Sequence, residues 1–339
     1  MKLQVLVKLS LVFTLVVIML GAYTRLADAG LGCPDWPGCY GQLTVPTDSK
    51  DVLQAELLYP ELTVEADKAW AEMVHRYFAG TLGLLVMGIA FICIREQKAP
   101  TAFAVGLVVL IVFQALLGMW TVTLKLMPVV VMGHLLGGFM LLSCLFILHW
   151  RLSESHSSAP PSVQTNRPMA LLSMATLLVV LGQILLGGWT SSNYAALMCS
   201  SLPICEGDWI NQLDMANAFT MIQSGHDSYE FGVLDYQARM TIHVAHRIGA
   251  IITTFIVALL ALRCWLSGQA RLRTASRNLL IVLLLQLALG ISNVLFSLPI
   301  AVAVAHNLGA AILLVTVLHA NYVLWQPSRV MALNKENVS

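Results

Sequence analysis

The residues best suited to chemistry lie in the segment 71–76, which contains Glu72, His75 and Arg76. An imidazole binds metals or moves protons, a carboxylate accepts protons, and a guanidinium binds anions such as carboxylates. An apolar run follows directly, so these groups stand at the edge of a predicted membrane span. Ionisable groups are costly to desolvate there, and they therefore indicate a functional site.

A second His-Arg pair, His246 and Arg247, occurs in the other half of the chain and again precedes an apolar run. At the matching position the first copy has Glu72, whereas the second has His243. Because only one copy carries the carboxylate, we predict Glu72 to be the acid–base residue of the first copy. The alternative is an acid that the helix macrodipole favours near a helix start.

Composition identifies the elements that must position these groups. Of 339 residues, 58% are hydrophobic and 11% are charged, which is typical of a polytopic helical membrane protein. The net charge of +1, without a basic stripe, excludes a nucleic-acid partner. We predict transmembrane helices at 5–23, 74–94, 101–123, 128–150, 168–190, 242–263, 278–297 and 299–324.

The distribution of Lys and Arg sets the orientation. With the N-terminus inside, twelve Lys and Arg residues fall in cytoplasmic segments, against five on the other side and two at the boundary. The positive-inside rule therefore predicts cytoplasmic termini and outward-facing loops at about 24–73 and 191–240. The first span also has features of a cleavable signal peptide, with an Ala-Asp-Ala site at 27–29.

The spans divide into two groups of four around a linker-like segment, 154–167. Several pairs recur in the same order and at a nearly constant offset: Thr24/Thr190, His75/His246, Gln114-x3-Gly118/Gln286-x3-Gly290 and His134/His306. We therefore predict an all-α polytopic membrane protein in which eight transmembrane helices form two tandem, pseudo-twofold-related four-helix bundles. The predicted parts are an N-terminal half, 1–153, the linker, a C-terminal half, 168–326, and a cytoplasmic tail, 327–339.

Each predicted half has two histidines on different helices at similar depth, His75 with His134 and His246 with His306. Facing imidazoles inside a helix bundle are the usual arrangement of a bis-His haem site. The alternative is a set of core histidines satisfied by interhelical hydrogen bonds. Zinc or copper is less favoured, because the pairs do not lie at i, i+4. Small residues after the second histidine of each half, such as Gly137 and Gly309, leave room for a flat macrocycle or for close helix packing.

The arginines that follow two of the histidines suit haem propionates, since guanidinium groups pair bidentately with carboxylates. Arg76 and Arg247 are therefore predicted to bind the cofactor, with an interfacial, snorkelling Arg as the alternative. His243 competes with His246 as a ligand because it lies on the same helix face. We favour His246, whose Arg partner matches the first half.

Four cysteines lie in the two long loops as pairs with the same spacing, Cys33/Cys39 and Cys199/Cys205. On an oxidising face they are placed to form disulfides that close short loops. A structural staple and a redox-active disulfide both fit this spacing.

Together these residues resemble the haem A synthase family of energy-transducing membranes, as a bacterial member with two outer-loop cysteine pairs. The resemblance covers nearly the whole chain and is carried by the following motifs: Gly32-Cys33-Pro34-Asp35-Trp36-Pro37, Glu72-x2-His75-Arg76, Thr121-Val122-Thr123, His134-Leu135, His246-Arg247 and His306-Asn307. It implies oxidation of the C8 methyl of haem O to a formyl group, through successive hydroxylations and loss of water.

The resemblance also implies the occupants of the two histidine pairs. A resident haem b is expected between His246 and His306, and the substrate haem O between His75 and His134, with Glu72 beside it. It implies a bacterial inner membrane, with haem O synthase and terminal oxidase assembly as partners; a homo-oligomer stays open. Two other classes also stay open, a di-haem electron carrier of cytochrome b type and a non-catalytic haem-handling assembly factor.

Overall fold

The computed structural model describes residues 2–154, 163 and 166–325. The helices are α1 (Lys2–Leu26), α2 (Ser49–Leu58), α3 (Ala66–Arg95), α4 (Thr101–Thr123), α5 (Pro128–Glu154), α6 (Arg167–Ser192), α7 (Met215–Ala218), α8 (Tyr236–Leu266), α9 (Ala270–Leu295) and α10 (Ile300–Leu324). Within this part of the chain, eight helices are long and apolar enough to cross a membrane, and no strand occurs. The prediction of an all-α, multi-pass membrane protein is confirmed. Most of the predicted linker, 154–167, and the tail, 327–339, lie outside the described residues.

Several helices begin before the predicted spans. α3 starts at Ala66 rather than near residue 74, and α8 starts at Tyr236 rather than near residue 242. Their first turns carry polar residues, and a helix satisfies its own backbone hydrogen bonds whether or not lipid surrounds it. Both His-Arg pairs therefore lie inside continuous helices, two to three turns from the helix start.

The eight long helices pack as two rings of neighbours. In the first, contacts run α1–α3, α3–α4, α4–α5 and α5–α1; in the second, they run α6–α8, α8–α9, α9–α10 and α10–α6. The rings meet where α1 and α5 contact α10 and where α5 contacts α6. Buried side chains such as Phe139 and Leu145 form a continuous apolar core between the helices. Apolar contact and close packing hold transmembrane helices together, because lipid itself is apolar.

Two side chains link the rings at opposite ends of the bundle. Arg25, on α1, donates to the carbonyl of Ser191 at 2.7 Å and lies over the Tyr194 ring at 3.9 Å. At the other end the Tyr322 hydroxyl donates to Glu154 at 2.8 Å, joining α10 to α5. A hydrogen bond gains strength in surroundings of low dielectric constant.

The helices that carry the second histidine of each ring follow a tight turn of the same shape. Lys125 and Leu126 adopt left-handed φ values of 45° and 65°, and Ser297 and Leu298 adopt 55° and 60°. Residues other than glycine disfavour left-handed φ values, so each turn is a specific structural feature and not an ordinary loop. The turns set where α5 and α10 begin, and thereby the depth of their histidines.

The two long loops fold over the end of the bundle at which α3 and α8 begin. In the first loop, Cys33, Tyr40 and Ala55 pack on Ala69 and Met73 of α3. In the second loop, Cys199 packs on Met240 and Val244 of α8 in the same way. Each loop therefore covers the helix that carries its His-Arg pair.

Candidate functional site

The histidines of the first ring, His75 on α3 and His134 on α5, face each other. Their ring centroids are 6.4 Å apart, and the ring planes are nearly perpendicular at 86°. Two imidazoles that bind one metal ion from opposite sides, at about 2 Å each, have ring centres roughly 6 Å apart. Both Nδ1 atoms are buried without a hydrogen-bond partner. Buried polar atoms are normally satisfied, so an unpartnered pair indicates a site built for a ligand.

The second ring brings His246, on α8, within electrostatic reach of His306, on α10. Glutamines contact both residues. The Nε2 of Gln183 lies 3.1 Å from the Nδ1 of His246 and donates to its carbonyl oxygen at 2.9 Å. The Nε2 of Gln286 lies 3.4 Å from the Nε2 of His306 and donates to its carbonyl oxygen at 3.0 Å. The structure therefore brings the four predicted histidines together as two pairs.

Each of the four imidazoles lies against a glycine of the adjacent helix. A Cβ built on that glycine would come close to the ring Cε1, at 2.9 Å for Gly21 and His75, 3.4 Å for Gly118 and His134, 3.1 Å for Gly187 and His246, and 3.1 Å for Gly290 and His306. The glycines leave space that a side chain would fill. The facing imidazoles of the first ring, and the glycine-lined surfaces beside the histidines of both rings, fit a haem in a helix bundle.

Glu72 and Arg76 tie α3 to the first disulfide loop. One carboxylate oxygen of Glu72 accepts from the backbone N–H of Cys33 at 2.9 Å, and the other pairs with Arg76 at 2.5 Å. Arg76 also donates to the carbonyl oxygens of Asp35 at 2.9 Å and of Gly38 at 2.5 Å. We call this set of contacts the first clamp.

The second ring has a matching clamp in which His243 replaces Glu72. The His243 Nδ1 lies 3.2 Å from the Cys199 N–H, and its Nε2 lies 3.1 Å from the Nε of Arg247. Arg247 donates to the carbonyl oxygens of Cys199, Ser201 and Ile204 at 2.6, 2.5 and 2.6 Å. A neutral imidazole accepts at one nitrogen only, so one of its two contacts is a hydrogen bond at a time. Because both ring nitrogens of His243 face this clamp, the geometry favours His246 as the partner of His306.

Both predicted disulfides, Cys33–Cys39 and Cys199–Cys205, are present, and each closes the loop that its clamp holds. Glu206 fastens the second of these loops. Its carboxylate accepts from the backbone N–H groups of Ser201 and Ser200 at 3.0 Å each. These N–H groups stabilise the charged form and lower the pKa of Glu206 to about 2.

Comparison with known proteins agrees with this arrangement over nearly the whole length. The model of the COX15-CtaA family, described as cytochrome oxidase assembly protein, matches residues 4–318. The chain belongs to this family. It is 56% identical to a haem A synthase of Shewanella oneidensis, over 97% of the chain and 98% of that relative. Haem A synthases of Caulobacter vibrioides and Paracoccus denitrificans are each 26% identical over 90% of the chain, and the matches cover 90% and 83% of those relatives.

Membership of the COX15-CtaA family confirms the resemblance stated from the motifs. The individual site residues remain predictions. Binding of haem propionates by Arg76 and Arg247 stays a prediction; in the structure their guanidinium groups hold the disulfide loops.

Sequence reasoning missed the glutamines that contact the histidines. Gln114 and Gln286 served only as markers of the repeat, and Gln183 was not considered. A signal was present, because Gln183-x3-Gly187 has the same spacing as the two marker pairs.

Proposed function

We propose that this protein is a haem A synthase, which oxidises the C8 methyl group of haem O to a formyl group and so yields haem A for terminal oxidases. The observation that carries the proposal is the pair His75 and His134, with ring centroids 6.4 Å apart, in a chain 56% identical to a haem A synthase. The substrate haem O lies between these two imidazoles in the first ring.

The second ring holds a resident haem b through His246 and His306. When bound, haem b supplies one-electron transfer between the first ring and an external partner. Two contacts of the chain support this assignment, because Gln183 and Gln286 each donate to the backbone of one of these histidines. These bonds connect the backbone at each histidine to the neighbouring helix and so fix where the two side chains begin.

Glu72 is the acid–base residue. Converting a methyl into a formyl group adds one oxygen and removes two hydrogens, a four-electron oxidation that proceeds through two hydroxylations and loss of one water. Each hydroxylation by O2 takes up two protons and two electrons from an external reductant and releases one water, so the site needs a group that transfers protons. Glu72 lies on α3 one turn before His75, and the Cys33 N–H and Arg76 fix the direction of its carboxylate.

His243, which occupies the position of Glu72 in the second clamp, provides the control for an experiment on Glu72. Glu72→Gln and His243→Gln each place an amide between the same two kinds of donor, in different rings. With haem O supplied by co-expression, we expect Glu72→Gln to keep its haem but to lose haem A by about 10²-fold or more, the usual size of an acid–base contribution. His243→Gln should keep haem A near the wild-type amount.

Haems extracted from the purified variants and analysed by mass give both numbers. Equal losses of haem A in the two variants would show that Glu72 acts only by holding its loop, and would remove its acid–base role. Haem b alone from the wild-type chain, with haem O untouched, would refute the synthase proposal.

A second candidate, a di-haem electron carrier, is favoured by one observation, the presence of paired imidazoles in both rings. It predicts haem b in both rings and no modified haem. In either case we propose a bacterial inner-membrane location with cytoplasmic termini and the disulfide loops outside. If the chain is a synthase, haem O synthase is the natural donor of its substrate.

A further inference from the structure

Three of the four histidines share a local arrangement of four residues, which we call the glutamine module. A Gln lies four residues before the glycine that faces the imidazole, and a second glycine lies three residues after the histidine. The modules are Gln114, Gly118, His134 and Gly137; Gln183, Gly187, His246 and Gly249; and Gln286, Gly290, His306 and Gly309. In each, a Cβ on the second glycine would overlap the glutamine amide, so that glycine makes room for the amide.

The modules differ in how firmly they hold their histidine. In the second ring both glutamines donate to the histidine carbonyl, Gln183 at 2.9 Å and Gln286 at 3.0 Å. In the first ring Gln114 occupies the same place, but its Nε2 is buried without a hydrogen-bond partner. Glutamine amides therefore connect both histidines of the second ring to a neighbouring helix. His134 lies beside Gln114, whose Nε2 makes no hydrogen bond.

His75 has no module. Val17 of α1 stands at the position that matches Gln183 when Thr24 is aligned with Thr190, and Phe78 of α3 matches Gly249 when His75 is aligned with His246. Phe78 stacks on Phe13 of α1, with ring centroids 5.8 Å apart. Apolar packing thus replaces the amide. The His75 ring keeps a contact with the backbone of Val17, but no side chain donates to it or to its carbonyl oxygen among the described residues. Among the four imidazoles, His75 is the one with no glutamine at the matching position.

We propose that Gln183 and Gln286 are positioning residues for His246 and His306, and that His75, which has no glutamine beside it, is the ligand whose ring leaves the substrate haem during turnover. The inference rests on the proposed function and deepens it. A haem iron held by two fixed imidazoles would have no open position, so oxygen chemistry there would require one imidazole to move away. His75 lacks the amide that lies beside the other three histidines, and one hydrogen bond contributes a net of about 1 kcal/mol.

A transplant of the module tests this directly. The variant Val17→Gln/Phe78→Gly introduces the amide and its space beside His75, and Val17→Leu/Phe78→Gly introduces the space alone. The probe is cyanide, added to the full-length ferric protein loaded with haem b in detergent, and the readout is the rate of the Soret shift. We expect the amide variant to bind cyanide about five-fold more slowly in the fast phase, the factor for one net hydrogen bond of about 1 kcal/mol. The Leu variant also loses the Phe78–Phe13 contact, so it is the reference from which this factor is measured.

Removing a glutamine from the second ring gives a second experiment, which does not require the transplant variants to fold. Gln183→Leu removes the amide from His246 and should add a cyanide-reactive haem, with binding about five-fold faster than at the restrained wild-type site. Equal rates for the Gln and Leu transplants, or unchanged kinetics in Gln183→Leu, would overturn the proposal. Cyanide kinetics need no haem A, so a chain that shows these shifts without making product would refute the synthase function, and with it the turnover role of His75, while the restraint of the histidines by glutamine would stand.

Discussion

Replacing Gly21 with Ala tests whether the empty space beside His75 is needed for haem. The new Cβ would lie 2.9 Å from the His75 Cε1, whereas carbon atoms in ordinary contact are about 3.5–4.0 Å apart. Overpacking of this size costs about 1–3 kcal/mol. In the empty protein the ring can turn aside, and the gain of roughly 1 kcal/mol from Gly to Ala within a helix offsets the cost. A His75 ring that binds haem cannot turn aside, so the free-energy cost of the added methyl group weakens haem binding.

We therefore expect Gly21→Ala to bind haem roughly 5- to 150-fold more weakly, at about tenfold per 1.4 kcal/mol, while thermal unfolding of the empty protein changes little. Absorbance titration of the empty protein with haem measures the first quantity. Gly118→Ala, whose Cβ would lie 3.4 Å from His134, should lose less, and Gly80→Ala, with nothing within 4 Å, should lose nothing. If Gly21→Ala bound haem like the wild type, or if all three variants lost affinity equally, the space beside the ring would not be part of the haem site.

Two further predictions concern the second disulfide loop. Arg247→Lys keeps the positive charge but loses the planar guanidinium that reaches the carbonyls of Ser201 and Ile204 together. We expect it to destabilise the loop by on the order of 2–4 kcal/mol, seen as faster limited proteolysis; an unchanged cleavage rate would contradict the clamp. The pKa of Glu206 falls from 4.5 to about 2, so its contribution is complete above pH 4.5 and is lost as the pH drops toward 2. Protease resistance should fall over that window, and Glu206→Gln should abolish the pH dependence.

The spans were predictable because each needs little more than length and apolar composition. Their ends were not, since helices such as α3 continue past the membrane-sized stretch through polar residues. The pairing of His75 with His134 was predictable because both fall at similar depth in one four-helix group, and the structure places their rings 6.4 Å apart. Their glycine neighbours were not, because which helix faces which imidazole depends on the rotation of each helix about its axis.

The roles of polar side chains near the site were harder to predict. Arg76 and Arg247 suggested propionates by chemistry alone, but loops that fold back from sequence-distant segments bring carbonyl oxygens to both guanidinium groups. Likewise Gly137 and Gly309 suggested space for a macrocycle, whereas the structure places them against the amides of Gln114 and Gln286. In each case the partner lies on another element, which spacing along one helix does not reveal.

The two rings share their turns, clamps and facing glycines, so the positions where they differ carry the most information about chemistry. Three of these differences surround one imidazole: Glu72 in place of His243, Val17 in place of Gln183, and Phe78 in place of Gly249. Glu72 places a carboxylate one turn from His75. With Val17 and Phe78 at the other two positions, the first ring lacks the glutamine amide, and the space for it, beside His75. A site that only carries electrons gains nothing from a loosened ligand beside a carboxylate, because electron transfer favours fixed ligation. We therefore infer that the first ring has diverged for turnover at His75, and that the second ring has kept the restrained geometry of a resident haem.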